Sequence, residues 1–544
     1  MKKIFIASIY LALGTSGLLL TSCRSTDTDS NLVSGTPTAV SFNLTGTEFS
    51  NGTAAAQASV DRKDAVIAES SVQKQTTMID PSTVIVAELS PVSGSIKSST
   101  QAAVGKAVLA AVPGNALGAG IQFRVIAYNQ ADGSFQAYQD YTVGQQAVPM
   151  MLNVGATYTM VVYSYGTITL PAITSGEKTN INNAQVNYDD TNRDFMYYNQ
   201  SNYIPVKGSN VLNITLRHKV AQITTIINSN GMGNIASVAN AVLTPHYSNG
   251  IIPLSSGVMT GRSTLTTGVP LQFSNTTSTT SVAAPVFINS DTAGNKTGSF
   301  SADITLGSTT VTKNLANTFK ITPGYKSNLT INIEKCGAMV NGVWRTFMCH
   351  NLGADTTADP FIPVAAIHGA KYQWGVQTGT PQRYFTQAQD QDPANTYPSS
   401  SLWTSNNDTP NGSWDNSSSG GVANPCPSGY RVPSDQEWQA VVNENSMKSV
   451  GTWSTSALNP TYGAGMSFGS GLMLPASGVR VNGSLQERGY SGYYWSSTIA
   501  PLSASGQSLS LQFYNTFNRP SATTGGFSSI IRTYGLNVRC ISVN

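Results

Sequence analysis

No tryptophan occurs before residue 344; all seven lie at or after Trp344. Cysteine is equally uneven: of five, one is Cys23, and the others, Cys336, Cys349, Cys426 and Cys540, share the tryptophan limit. Stretches with such different core chemistry are different folds, and the join falls near Glu334-Lys335. No cysteine belongs to a Cys-x-x-Cys pair, and His350 beside Cys349 has no second ligand at a suitable spacing, which argues against zinc. Charge is scarce as well: 10% of residues are Asp, Glu, Lys or Arg, against about 25% in ordinary soluble chains. The net charge of +3 comes without a long basic run, so nucleic acid is disfavoured as a partner. Among four histidines and few acids, no Ser-His-acid set or carboxylate pair stands out. The chain therefore reads as a non-enzyme with no catalytic residue, cofactor or metal site. Past the leader, no apolar run approaches the ~18–20 residues of a spanning helix.

Ser, Thr, Asn and Gly fill the space that charge leaves, a composition suited to β-rich extracellular proteins with polar, uncharged loops. The chain has 544 residues, enough for about three or four domains. Its first part reads as strands. Val40, Phe42 and Leu44 alternate with polar residues, which places them on one face. Ile121 to Tyr128, Tyr158 to Tyr165, Val211 to Leu216, Val220 to Ile227, Phe300 to Leu306 and Asn328 to Ile333 follow, separated by Gly, Pro, Asn and Ser clusters. The expectation is β-sandwich. The length suggests two of them, residues 38–168 and 169–335, divided near Tyr165 to Ala172. Ala102 to Ala111 is ambiguous between helix and strand.

The leader has Lys2 and Lys3, then a mostly apolar stretch from Ile4 to Leu20 broken by Gly14-Thr15-Ser16-Gly17. That is the layout of a secretory signal. Its end, Leu20-Thr21-Ser22-Cys23, resembles the lipobox of bacterial lipoproteins. The resemblance implies that residues 1–22 are removed and that Cys23 is acylated, palmitate included, and becomes the first residue. Residues 23–37 then form a tether, and the protein is lipid-anchored in the outer membrane and exposed at the cell surface. With Cys23 set aside four cysteines remain, an even number that outside the cytoplasm suggests disulfides; three connectivities are open.

Asp194-Phe195-Met196-Tyr197-Tyr198, followed by Val211 to Arg217 and then His218-Lys219-Val220-Ala221-Gln222-Ile223, resembles the fimbrillin-like family of Bacteroidetes. The resemblance covers roughly residues 38–335. It implies two transthyretin-like β-sandwiches, as in pilus subunits and associated surface lipoproteins. It also implies partners: other fimbrial subunits, joined by strand complementation. In that family an Arg-directed cut removes the lipid and first strand; Arg62, in Asp61-Arg62-Lys63-Asp64, is the matching candidate, and is equally at home in a polar loop. His218 reads as a structural residue at a strand bend. Asp291-Thr292-Ala293 fits the Asp-Ser/Thr-small pattern that Bacteroidetes glycosylate, making Thr292 a candidate site.

In the final part, Ser434 stands three residues before Glu437, a capping box. Trp438, Val441 and Val442 give the helix that follows an apolar face. The order of Cys426-Pro427-Ser428-Gly429-Tyr430-Arg431-Val432-Pro433, this helix, Tyr494-Trp495-Ser496-Ser497 and Val538-Arg539-Cys540 resembles the Fibrobacter succinogenes major paralogous domain. Over residues 336–544 it implies an α+β, C-type-lectin-like fold after a mainly β chain. In that light Cys426 pairs with Cys540, and Cys336 with Cys349. Trp414-Asp415-Asn416 and Gln391-Asp392-Pro393, with Asp390 nearby, echo lectin calcium motifs in composition but not in order or place, so no metal is expected. Trp403 and Trp414, in a polar loop, are candidates for stacking on sugar rings or for local packing.

The expected function is that of a fimbrial accessory or tip adhesin, with two sandwiches as stalk and a head turned to a glycan or to a host or bacterial surface. The C-terminal residues Arg539 to Asn544, locked inside the head, suit a terminal position rather than a repeating shaft. A stand-alone glycan-binding lipoprotein serving nutrient capture and a purely structural surface protein are the alternatives.

Overall fold

The computed structural model describes residues 29–30, 35–50, 72–92, 115–230, 232–274, 277–392, 394–395, 403, 409–458, 460–500, 506–516, 519–521 and 527–543. The signal segment, Cys23, Arg62 and the ambiguous 102–111 stretch lie outside the described residues. What is described is mainly β.

Alternation sets which face each strand buries. In Asn210–His218, Leu212, Ile214 and Leu216 are buried while Val211, Asn213 and Arg217 face out. In Lys326–Lys335, Ser327, Leu329, Ile331 and Ile333 point inward. A period of two commits one face of each strand to a core.

The first sheet has eight strands in the order Asp29–Ser30, Phe135–Thr142, Gln122–Asn129, Tyr158–Ser164, Met196–Tyr203, Asn210–His218, Pro37–Glu48, Met150–Asn153. Its central strand Tyr158–Ser164 is buried on both faces, hence its unbroken Val-Val-Tyr run. One face packs Val125, Met160, Val162, Leu212 and Ile214. The other packs Ile126, Val161 and Tyr163 beneath Val186, Ile252 and Leu254. Pro37–Glu48 runs parallel to Asn210–His218, whereas every other pairing in this sheet is antiparallel.

The second unit has two sheets around one core. Ala221–Asn228, Lys326–Lys335, Thr83–Pro91 and Gln73–Asp80 lie side by side in one; Ile235–Thr244, Gly298–Leu306 and Thr309–Phe319 form most of the other. Ile85, Ile223, Ile227, Leu243, Phe300, Ile304 and Ile331 fill the space they share.

The expected division after residue 168 does not divide the sheets. Met196–Tyr203 and Asn210–His218 complete the first sheet, while Gln73–Asp80 and Thr83–Pro91 cross into the second beside Lys326–Lys335. Local alternation looks the same whichever sheet a hairpin joins, so pairing across 200 or more residues leaves no mark in it.

Lys326–Lys335 runs directly into Cys336 and the head. There Asp435–Glu444 is helical, with both bonds of the Ser434/Glu437 capping box formed and Trp438 and Val441 buried. Around it lie short strands and loops. Cys336 bonds to Cys349 and Cys426 to Cys540. The Cys336 and Cys349 amides donate to Ser82 O and Pro81 O of the second unit, both at 2.8 Å, and Val84 and Val86 pack against this disulfide. Ile541–Ser542 pairs with Tyr430–Arg431.

Because all tryptophans lie from residue 344 onward, their fluorescence reports on the head alone. Cys426–Cys540 closes a span of 114 residues. The double variant C426S/C540S should lower the denaturant stability of the fluorescence transition by on the order of 4–5 kcal/mol, by the chain-entropy estimate. An unchanged midpoint in urea would show that this cross-link does not hold the head.

Candidate functional site

The slot that holds the first strand is built from two backbone edges. Asn210–His218 lies on one side and Met150–Asn153 on the other. The parallel register runs from Val40 opposite Asn210 to Glu48 opposite Arg217, with an irregularity at Thr45. There the Thr45 hydroxyl donates to Ile214 O at 2.8 Å, with Thr215 Oγ1 at 2.7 Å. Gly46 follows at φ 133°, a backbone conformation open to glycine and strained for other residues. Val40 is fully buried, and Phe42 and Leu44 are half-buried against the same core, with Phe42 edge-on to Tyr141 at 5.4 Å. Asn210 Nδ2 donates to Ala39 O at 3.3 Å and to Val206 O at 2.8 Å. Beside Phe42 and Leu44 opens a groove of about 460 Å³ whose lining includes Leu117, Phe123, Tyr141, Val143 and Val148.

The far end of the slot is polar and aromatic. Arg217 Nε donates to Glu48 Oε1 at 2.5 Å. His218 is buried, its Nδ1 lies 2.5 Å from Asp194 Oδ1, and its ring stacks on Phe49 at 3.9 Å. On the other side Phe287, from the second unit, lies at 6.0 Å. Lys219 places its Nζ over the Tyr197 ring at 5.1 Å, and burial, aided by the Arg217 charge, pulls its ammonium down to about 8. The sequence points to Asp194 and His218 but not to Glu48 and Phe49, which complete the cluster and follow the alternating stretch instead of belonging to it.

In the head, Trp403 and Trp414 are not exposed platforms: they are 0% and 1% exposed. Trp414 Nε1 donates to Ala423 O at 2.9 Å and its ring packs on Trp374 at 5.6 Å, itself lying under the Arg532 guanidinium at 4.3 Å. Trp403 packs on Phe385 at 4.8 Å. These loop aromatics extend a head core that strand and helix residues such as Val441, Met466, Leu474 and Trp495 otherwise build. Thr292 is also buried, and its hydroxyl accepts from Ile321 N at 3.2 Å, so attaching a glycan there would require this contact to break.

The carboxylates of the calcium-like segments are engaged. Asp390 sits between Arg480 Nε at 2.7 Å and Arg488 Nη2 at 2.6 Å, and Asp415 Oδ1 accepts from Ser417 N at 2.9 Å. Lys371 is fully buried; burial draws it down to about 7, while Ser477 O, Gly478 O and Asn537 Oδ1 at 2.5–2.9 Å accept its protons. Three acceptors around one nitrogen match the three donors of an ammonium.

No family model matches the chain, and no curated protein does. Solved structures similar to it include a candidate cell adhesion protein from Bacteroides uniformis, at 15% identity over 40% of this chain and 92% of that one, TM-score 0.28. A fimbrial assembly protein from Parabacteroides distasonis overlaps at 8% identity over 42% and 86%, TM-score 0.26. The fimbrial anchor protein Mfa2 from Porphyromonas gingivalis overlaps at 10% identity over 42% and 92%, TM-score 0.25. Overlaps with TM-scores this low decide neither fold nor role.

His368 gives the head an acid sensitivity. Burial, then the Arg488 charge, pushes it down to about 3. Its Nε2 faces Tyr462 O at 3.2 Å, and among the described residues nothing partners its Nδ1. Unfolded, it takes a proton near 6.5. The folded state binds fewer protons in between, so stability falls as pH drops from about 6.5 toward 3, by about 1.4 kcal/mol per unit. His368→Gln, which keeps a donor toward Tyr462, should flatten the decline of the tryptophan-reported Tm between pH 6.5 and 5. His350, lowered by burial too, will retain part of the slope. An identical decline in both proteins would refute the assignment.

Proposed function

We propose that the protein is a lipid-anchored surface protein that serves as an accessory or tip adhesin of a fimbrium, with the head turned outward. The observation behind this reading is the first strand. It is inserted parallel into a sheet otherwise paired antiparallel, and it supplies Val40, Phe42 and Leu44 to the core. Between it and Gln73–Asp80 lies Arg62. A cut there would sever the strand from the rest of the chain. Loss of the strand would leave two backbone edges and an apolar slot, which a strand from another subunit could fill.

Ile541–Ser542 is paired with Tyr430–Arg431 inside the head and is not free to fill a neighbour's slot. The nutrient-capture alternative leaned on Trp403 and Trp414 as exposed stacking platforms, and their burial removes that support. The anchor would be Cys23, and the partners other fimbrial subunits together with a ligand on a host or bacterial surface.

Immunogold electron microscopy of intact native cells, with antibody raised against residues 336–544, tests this directly. Gold at filament ends is the expected result. Gold on the outer membrane without filaments would overturn the fimbrial role, and labelling only after permeabilisation would overturn surface exposure. Metabolic palmitate labelling should mark the wild type and be lost in Cys23→Ser.

A further inference from the structure

The far end of the slot holds more than the apolar strand needs. Val40, Phe42 and Leu44 already fill the core, yet the chain adds Glu48 against Arg217 and Phe49 flat on His218, the rings within 7° of parallel. His218 is the last residue of the first sheet's Asn210–His218 strand, and Asp194 fixes its ring from the opposite edge of the cluster. Phe287 faces His218 at 20° from the second unit, and Lys326 Nζ lies 6.0 Å from the Phe49 ring. Ser50 N then donates to Gly324 O at 2.8 Å. Phe49 therefore ends a stack, Phe49–His218–Phe287, that spans the joint between the first sheet and the second unit. The strand is anchored at its core face by shape, and at its far end by one charge and one ring.

We infer that the slot selects its occupant at this end: a strand replacing Pro37–Glu48 must offer a carboxylate to Arg217 and, directly after it, an aromatic ring to His218. This rests on the strand-exchange reading above and specifies the partner that reading requires. The occupant carries a β-branched residue, an aromatic and an aliphatic at alternate positions, as Val40, Phe42 and Leu44 do here. A glycine follows two residues after the aliphatic, as Gly46 does, and the acid–aromatic pair two and three residues after that, as Glu48 and Phe49 do. A strand with the apolar alternation alone fills the core and leaves the joint open.

The test uses the full mature chain with a specific protease site replacing residues 58–64, cleaved after folding. A fluorescent peptide of residues 37–50 is added and its binding followed by anisotropy. Two altered peptides accompany it: E48A/F49A, and S41A, which changes only an outward position. The native and S41A peptides should bind alike, and E48A/F49A about tenfold more weakly, as expected for the loss of a stacked ring and an exposed ion pair. E48A/F49A binding within twofold of the native peptide would overturn the end selection and leave strand exchange standing. Binding by none of the peptides would overturn both. Should the cleaved protein unfold, hydrogen exchange on the uncut chain decides. Phe49→Ala should speed exchange across Leu212–Ile223 while Ser41→Ala does not; equal protection in the two variants would overturn the proposal.

Discussion

The pairing of Pro37–Glu48 with Asn210–His218 is the contact on which the first sheet depends. Its partners lie about 170 residues apart in the chain, so it carries a loop-closure cost that the hairpins of the same sheet do not. Once formed, it supplies the residues that close one core and the edge on which Met150–Asn153 completes the sheet. Nothing else among the described residues lies between Asn210–His218 and Met150–Asn153. The same pairing brings Phe49 to His218, so the completeness of the first sheet and the closure of the joint beyond it are set by one segment.

The head solves a different problem. Most of its described backbone lies in loops, and buried loop carbonyls lack strand partners. Long cationic side chains collect them. Arg480 donates to Gly483 O and Asp390 O, Lys371 to Ser477 O and Gly478 O, and Arg539 to Met348 O. All three are buried, with Asp390 shared between Arg480 and Arg488 as the nearby counter-charge. Burying such charges is costly unless they are fully bonded, and Arg488 Nε and Arg539 Nη2 find no partner among the described residues. The other donors of these side chains tie loops together. The two disulfides secure the same loops covalently, one at the joint with the second unit and one at the closing strand.

How much of this the sequence reveals depends on the range of the interaction. Strand faces are legible because burial follows a period of two, as in Leu212, Ile214 and Leu216 or Leu329, Ile331 and Ile333. The head helix is legible because Ser434 and Glu437 cap it locally. Sheet membership of Gln73–Asp80 and Thr83–Pro91 is not, since their pattern is silent about which distant strand they meet. Trp403 and Trp414 mislead for a related reason. A tryptophan among Asn, Ser and Gly reads as exposed, and only three-dimensional packing against Phe385 and Trp374 shows that the loop folds inward. Of the slot, the apolar half could be read from Val40, Phe42 and Leu44, whereas the Glu48–Phe49 end has meaning only beside Arg217 and His218.

The second unit repeats the theme of the first: Ala221–Asn228 runs parallel to Lys326–Lys335. The two parallel pairs lie in series. The chain passes from His218, at the end of the first pair, to Ala221, at the start of the second, and from Lys335 straight to Cys336 in the head. Tension between residue 37 and the head pulls Pro37–Glu48 toward its beginning and Asn210–His218 toward its end. It does the same to Ala221–Asn228 and Lys326–Lys335. Parallel neighbours pulled from opposite ends are loaded along their length, so every cross-strand bond resists at once. An antiparallel hairpin pulled at its open end instead parts one bond at a time. A path from residue 37 to the head through two such pairs is loaded in shear at both, and it makes the first strand the element whose loss would most alter that resistance.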